Sequence, residues 1–119
     1  MKSFLLTSFV TLFLSLPAFS ATGFQCSALD EDQAEWTIEI LGDDLAFFDN
    51  NSWSKASYLY SIETTNPIDV FTSNDPQDPF TVEVKREDVV TVKIFLPFDN
   101  SEMKMFEFSC VETSDLFFF

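Results

Sequence analysis

Apolar and polar side chains alternate along most of the chain after residue 20. In the stretch 35–40, Trp36, Ile38 and Ile40 fall on one face and polar residues fall on the other. Successive side chains of a β-strand point to opposite faces, so this alternation is typical of half-buried strands. The sequence shows no sustained apolar stripe with helical spacing. The pattern predicts short strands at 23–28, 35–41, 45–49, 53–62, 68–72, 80–86, 89–96 and 103–111.

Short segments rich in Asp, Asn, Gly and Pro, such as GDD at 42–44, separate the predicted strands and favour turns. About eight short strands at spacings of roughly 8 to 12 residues predict an all-β domain, either a small antiparallel barrel or a sandwich. The stretch 53–62 has two interpretations. It fits a strand that carries Tyr58, Tyr60 and Ile62 on one face, and it also fits a short helix.

The chain begins with the features of a secretory signal peptide. Lys2 precedes an apolar run at 4–16, and the small residues Ala18 and Ser20 suit the positions before a signal-peptidase cut. A membrane anchor is the alternative, but a span needs about 20 apolar residues and polar residues interrupt this shorter run. We therefore expect residues 1–20 to be cleaved and the protein to be exported, periplasmic or secreted, with no membrane span after cleavage.

Two cysteines, Cys26 and Cys110, lie near the two ends of the remaining segment 21–119, whose length suits a single small domain. In an exported protein an even number of cysteines indicates a disulfide, and two cysteines allow one intramolecular pairing. The Cα atoms of a disulfide lie within about 7 Å of each other. We therefore expect the bond to join the first strand to the last, as in a sheet that closes on itself.

Charge restricts the class of partner. Removing Lys2 with the signal leaves 5 basic and 20 acidic residues, a net charge of −15. Nucleic acids and anionic membranes bind clustered Lys and Arg, so neither is an expected partner. A basic protein or peptide is expected instead, because opposite charge attracts it. The candidate partner-binding residues are Asp43, Asp44, Trp53, Phe117, Phe118 and Phe119.

Three stretches carry a resemblance to known proteins, namely GFQC at 23–26, FSC at 108–110 and the hairpin FTVEVKREDVVTVKI at 80–94. Together they resemble small exported bacterial β-proteins that contain two cysteines. The chain is more distantly similar to the periplasmic inhibitors of c-type lysozyme. That resemblance implies a small disulfide-closed barrel that binds a strongly basic enzyme.

Catalytic and cofactor motifs are missing from the sequence. It has no histidine and only two glycines, which excludes the usual general base, the phosphate-binding loops and the G-x-S-x-G elbow. We therefore expect neither an enzyme nor a bound cofactor. A carboxylate-dependent hydrolase is the remaining catalytic hypothesis, because a glycosidase needs only two carboxylates.

Two loops, FFDNNS at 47–52 and PFDNSE at 97–102, each place an Asp-Asn pair after an apolar strand. Asp49 and Asp99 are therefore calcium candidates, since calcium takes oxygen ligands from such loops. Asp and Asn also cap turns through their own backbone bonds, and neither loop has the spacing of an EF-hand. We favour the turn interpretation and expect no metal site.

The domain 21–119 closes on an apolar tail, SDLFFF at 114–119. Folding the tail back over a barrel mouth or a sheet edge would bury apolar area. An exposed tail could instead be an apolar peptide that a partner or protease binds as an added strand, or it could be disordered. We expect it to fold back.

Taken together, these features predict an exported, non-catalytic binding module for a basic protein, and inhibition of a lysozyme-like enzyme is its most concrete form. A structural or envelope-associated β-domain is the alternative, and the carboxylate-dependent hydrolase is the third hypothesis. The sequence leaves the partner's identity and the oligomeric state open.

Overall fold

The computed structural model describes residues 22–98 and 102–119. The predicted signal peptide at 1–20 and the calcium candidate Asp99 lie outside the described residues. Eight antiparallel strands form a closed barrel in which each strand pairs with the next and the last pairs with the first. The strands are β1 (Gly23–Ala28), β2 (Thr37–Leu41), β3 (Asp44–Phe48), β4 (Trp53–Ile62), β5 (Ile68–Ser73), β6 (Thr81–Lys85), β7 (Thr91–Pro97) and β8 (Met103–Thr113).

The alternating pattern places one face of each strand in the barrel interior. An eight-stranded barrel is just wide enough for side chains to fill, and aliphatic and aromatic side chains pack this one. The prediction of an all-β fold is confirmed, and the sheet is a closed barrel rather than a sandwich. The fully buried residues of the core include Cys26, Ile38, Leu45, Phe71, Val82, Val84, Ile94 and Phe108.

The predicted disulfide is present and closes the barrel. Cys26 on β1 pairs directly with Cys110 on β8, and their sulfur atoms are bonded across a sequence separation of 84 residues. The bond therefore joins the first strand to the last, as predicted. A structural disulfide is consistent with an exported protein, because disulfides persist in oxidising compartments.

Strand β4 settles the ambiguous stretch 53–62, which forms a strand rather than a helix. Its register against β5 shifts between Tyr58 and Tyr60, which leaves Leu59 as the extra residue of a β-bulge. Tyr58 pairs with Phe71 and packs edge-on against that core ring, whereas Tyr60 pairs with Val70 on the opposite face of β5. The prediction that Tyr58 and Tyr60 share one face is therefore wrong, because the bulge inverts the alternation.

The two ends of the barrel carry different loops. The acidic end consists of the connections 29–36, 49–52 and 74–80 together with Phe98 and Glu102. The tail end consists of the connections 42–43, 63–67 and 86–90, and the tail (residues 114–119) begins there. A cluster of aromatic rings fills the acidic end: Trp36 lies 5.0 Å from Phe106 and 5.4 Å from Phe47, measured between ring centroids, and Phe47 lies 5.6 Å from Phe80.

Candidate functional site

The tail lies against the outer wall of the barrel. Gln25, Glu39, Ala46 and Lys55 are cross-strand neighbours that form a row over strands β1 to β4. This row faces outward, because the residues beside it on each strand point into the core. Glu39 and Ala46 are nevertheless 0% exposed. Their burial on an outer face is explained by the tail, whose backbone bonds directly to Glu39.

Glu39 holds the tail by its main chain. Its two carboxylate oxygens each accept one backbone N–H, from Phe117 and from Phe118, at 2.8 Å. The Gln25 side-chain amide donates to the same carboxylate at 2.9 Å. Hydrogen bonds to an ionised acceptor are about twice as strong as neutral ones, and they offset the cost of burying the charge. We call this arrangement the Glu39 clamp.

Leu116 and Phe118 contact the wall, and Phe118 remains 37% exposed. Leu116 packs over Gly23, where a methyl group would come within 3.0 Å of the Leu116 Cδ1 atom and 2.2 Å of the Ile40 carbonyl oxygen. The Phe118 ring lies 5.3 Å from the Trp53 ring and 6.0 Å from the Lys55 ammonium. Phe117, between them, is 84% exposed. The wall therefore contacts the side chains of Leu116 and Phe118 and the main chain between them, which bends at Phe117.

The docked tail extends a row of aromatic rings on the outer surface. Centroid distances are 5.2 Å from Phe48 to Trp53, 5.3 Å from Trp53 to Phe118 and 5.1 Å from Phe118 to Phe119. Three of the predicted partner-binding residues, Trp53, Phe118 and Phe119, are thus brought together. The expected fold-back takes place over the outer wall, whereas the sequence suggested a mouth or a sheet edge.

The other predicted acids lie elsewhere. Asp43, in the turn between β2 and β3, and Asp44, the first residue of β3, are exposed at the tail end. Trp53 pairs with Phe48, which is at the far end of β3 from Asp44. The length of β3 separates the two positions by roughly 13 Å at about 3.3 Å per residue. The structure therefore does not join Asp43 and Asp44 to the aromatic row.

Carboxylates surround the acidic end. Several of them cap their own loops: Asp30 accepts from the Asp32 N–H at 2.9 Å, and Asp75 accepts from the Gln77 N–H at 2.8 Å. Each of these bonds uses one oxygen and leaves the other free for a partner. The acidic side chains described at this end are Asp30, Glu31, Asp32, Glu35, Asp49, Asp75, Asp78 and Glu102.

Within residues 22–98 and 102–119, the ion pairs are Lys85–Glu87 at 3.2 Å and Arg86–Asp69 at 2.8 Å. Both pairs lie at the tail end. The described carboxylates of the acidic end are therefore not neutralised by a neighbouring Lys or Arg of the same chain. They leave a negative potential over this end of the barrel.

Exposed apolar side chains lie among these carboxylates, and the candidate residues chosen from sequence did not include them. Leu29 is 63% exposed, Met103 55% and Phe98 41%. The Lys104 ammonium lies 4.8 Å from the centroid of the Phe98 ring. A cation can therefore approach this ring within the usual range of a cation–π contact.

The calcium candidate Asp49 caps its own turn. Its Oδ1 atom accepts the backbone N–H groups of Asn51 at 3.2 Å and Ser52 at 3.4 Å, and Asn50 adopts a positive φ of 82°. In the part of the chain that the structure describes, no group of three or more potential ligand side chains is placed to hold a metal ion.

A polar cluster closes the tail end around Asp69. The Asp69 carboxylate accepts from Ser61 Oγ at 2.5 Å and from Arg86 Nε at 2.8 Å. The Arg86 guanidinium also lies 5.6 Å from the centroid of the Phe24 ring. Burial alone raises the pKa of Asp69, but the hydrogen bonds from Ser61 and Arg86 and the Arg86 charge outweigh it. They hold this pKa below its ordinary value of 3.8.

The substitution Asp69→Asn is expected to lower the free energy of unfolding by about 1–2 kcal/mol near neutral pH, because it removes charge-assisted hydrogen bonds. The folded pKa of Asp69 lies below the unfolded one, so this stabilisation is complete above about pH 4 and is lost as the pH falls through the folded value. Urea unfolding of both proteins from about pH 7 to about pH 2.5 measures the difference. A difference that stays constant across this range would contradict the assignment.

The double substitution Leu116→Ala/Phe118→Ala is expected to lower the melting temperature by several degrees, because both side chains pack on the wall. If the free energy of unfolding falls by about 1–2 kcal/mol, the melting temperature of a domain of this size falls by roughly 5–15 °C. Phe117→Ala is the matched control and should leave the melting temperature unchanged, since that ring faces solvent. Equal melting temperatures for all three proteins, measured by circular dichroism, would show that docking contributes no stability.

Comparisons with protein-family models, with curated proteins and with solved structures each found no match to this chain. Among the described residues, no helix has the length and apolar character needed to cross a membrane.

Proposed function

We propose that this protein is an exported, non-catalytic binding module that captures a basic protein with the acidic end of its barrel. The observation that supports the proposal is the set of carboxylates on separate loops at that end, which have no ion-pair partner among the described residues. A partner rich in Lys and Arg would supply the missing positive charge.

The acidic end combines charge with apolar surface. Leu29, Phe98 and Met103 offer exposed apolar area, and the carboxylates of the neighbouring loops surround it. Protein interfaces typically have an apolar centre and a polar rim, and a few aromatic residues contribute most of their affinity. Phe98 is the expected anchor, because its aromatic ring is 41% exposed.

The scaffold favours binding without rearrangement. The loops of the acidic end connect strands of a closed sheet, and the aromatic cluster around Trp36 fills the barrel beneath them. Binding by preformed loops loses less conformational entropy than binding by flexible ones. The most concrete partner is a c-type lysozyme or a similar basic enzyme, which the protein would inhibit by covering its surface. The periplasm or the extracellular medium is the compartment in which they would meet.

Binding is expected to depend steeply on salt. Affinity for a c-type lysozyme, measured by calorimetry, should fall at least about tenfold between 50 and 300 mM salt, because ions screen charges that lie on an exposed rim. The triple variant Asp32→Asn/Asp75→Asn/Asp78→Asn should weaken binding about tenfold at low salt. Asparagine keeps an oxygen that can cap the turn, so the loops should retain their conformation.

A matched variant at the tail end, Asp43→Asn/Asp44→Asn/Asp88→Asn, removes the same number of charges. It should leave the affinity within about twofold of the wild type, because these positions lie at the opposite end of the barrel. Equal losses in both triple variants would assign the effect to net charge rather than to the acidic end. An absence of binding to lysozyme and to other basic proteins at 50 mM salt would remove the proposal and favour a structural role.

A further inference from the structure

The outer wall and the tail have the relationship of a binding site and its ligand. The structure assigns no strand to residues 114–119, and the bonds that attach them to the wall run from their backbone to the Glu39 side chain. The barrel itself is closed by β1–β8 pairing, before the tail begins. The strand ladder is therefore complete without the tail.

The Glu39 clamp recognises main chain. A carboxylate that accepts two consecutive backbone N–H groups does not distinguish the side chains that those residues carry. The tail bends at Phe117, which turns two successive N–H groups toward Glu39, and a segment that bends in the same way can present the same pair, provided that neither residue is proline. The Gln25 amide fixes the orientation of the carboxylate from the β1 side.

Selectivity comes from alternate side chains. The first contact is at Gly23, where the missing side chain leaves room for Leu116. The second is the face of Trp53, on which Phe118 packs, with the Lys55 ammonium at 6.0 Å. The intervening Phe117 is 84% exposed, so the site places no restriction on the side chain at that position. The site therefore selects an aliphatic residue, any residue and an aromatic residue in succession.

The wall continues beyond the resident segment. A groove lined by Trp53, Ser54, Lys55, Asn74, Asp75 and Pro76 shares Trp53 and Lys55 with the Phe118 contact. It leads from the aromatic row toward the acidic end. The groove therefore lies next to the position that Phe118 occupies.

We propose that the outer wall around Glu39 is a peptide-binding site that the chain's own tail occupies. Its ligand class is a peptide with the pattern aliphatic–any–aromatic that bends at the middle residue and is held by two backbone N–H groups at Glu39. The short connection from Thr113 to Leu116 holds the tail at an effective concentration on the order of millimolar. A peptide in solution therefore binds weakly until the tail is released. The contacts at Gly23, Glu39 and Trp53 lie outside the acidic end, so this site does not depend on the function proposed for that end.

The test uses the full chain with its tail disabled. In the open-tail variant Leu116→Asp/Phe118→Asp the wall is intact, but the tail lacks both of its wall contacts. Acetyl-Ser-Asp-Leu-Phe-Phe-Phe is titrated into this variant and into the wild type by calorimetry. We expect at least tenfold tighter binding by the open-tail variant. The control peptide acetyl-Ser-Asp-Asp-Phe-Asp-Phe should bind neither protein.

Glu39→Gln in the open-tail background tests the clamp itself. Glutamine keeps the size of the side chain but offers one acceptor oxygen in place of two, so peptide affinity should fall about tenfold. Retained affinity in this triple variant would overturn the role assigned to Glu39. A folded open-tail variant that shows no saturable binding at about 1 mM peptide would overturn the site.

Near-ultraviolet circular dichroism and an intact disulfide establish that the open-tail variant is folded. Should it fail to fold, the wild type provides the test by amide chemical shifts. Peptide at several millimolar must then displace the tail and shift the amide signals of Leu116, Phe117 and Phe118, and unchanged signals would overturn the proposal. A concentration-dependent dimer of the wild type that Glu39→Gln abolishes would support the site and identify the tail of a second copy as its ligand.

Discussion

Replacing Cys26 and Cys110 together by alanine is expected to lower the free energy of unfolding by about 4–5 kcal/mol, the largest effect of any change considered. The bond closes a loop with a sequence separation of 84 residues, and in the chain-entropy model the loss grows with the logarithm of loop length. Both cysteines are buried, at 0% and 6% exposure, so alanine also leaves unfilled space. A loss of this size approaches the whole stability of many small domains.

Urea unfolding of the wild type, the double alanine variant and the reduced wild type measures this contribution. The reduced protein and the variant should unfold at similar urea concentrations. Intact-mass measurement with alkylation supplies the control, because the native protein should react at neither cysteine until it is reduced. Two freely alkylated thiols in that protein would contradict the bond.

Phe108→Ala is expected to lower the free energy of unfolding by about 3–5 kcal/mol. The Phe108 ring is 0% exposed in the barrel core, and β8 places it opposite Val92 on one side and Ala28 on the other. Removing the ring loses its transfer free energy and leaves a cavity that a closed sheet cannot easily collapse. The strands on either side are fixed by their ladders and by the disulfide two residues along at Cys110.

Phe117→Ala is the matched control for this core substitution, since it deletes the same atoms from a ring that is 84% exposed. Its free energy of unfolding should stay within about 0.5 kcal/mol of the wild type. Calorimetric or urea unfolding distinguishes the two variants. Similar losses in both would mean that burial does not set the contribution of these rings.

The barrel is predictable from sequence because its strands are short and half-buried. A side chain that points inward must be apolar, and its neighbour points outward, so the alternation in stretches such as 35–40 encodes the interior directly. The disulfide then restricts the arrangement, since Cys26 and Cys110 can bond only if the terminal strands meet. Alternation does not fix the position of an inserted residue. The bulge at Leu59 therefore inverts the face assigned to Tyr58.

The candidate site was only partly predictable, because it depends on contacts between distant parts of the chain. Glu39 alternates with Ile38 and Ile40 in the manner of an ordinary solvent-facing residue, and no local signal marks it as buried. Its burial requires a segment 78 residues further along the sequence. The apolarity of that segment was visible from sequence, but its partner on the wall was not.

The grouping of the acidic residues also depends on contacts between distant parts of the chain, so it could not be predicted from local sequence. Asp43 and Asp44 stand out in sequence as adjacent charges beside a glycine, yet their turn lies at the tail end. The carboxylates of the acidic end come from several loops that are far apart in sequence. Only the order of strands around the barrel brings those loops together.

Closure by Cys26 and Cys110 makes the backbone from β1 to β8 a covalent ring. Each strand in that ring pairs with the strands before and after it in sequence, and the first strand also pairs with the last. Each hairpin connection is therefore equivalent in topology. One break in any of these connections leaves both pieces joined through the disulfide. New chain ends placed at an exposed turn, with the old ends linked, would preserve the strand order. The barrel should therefore tolerate circular permutation, with the new termini placed at an exposed turn between two strands.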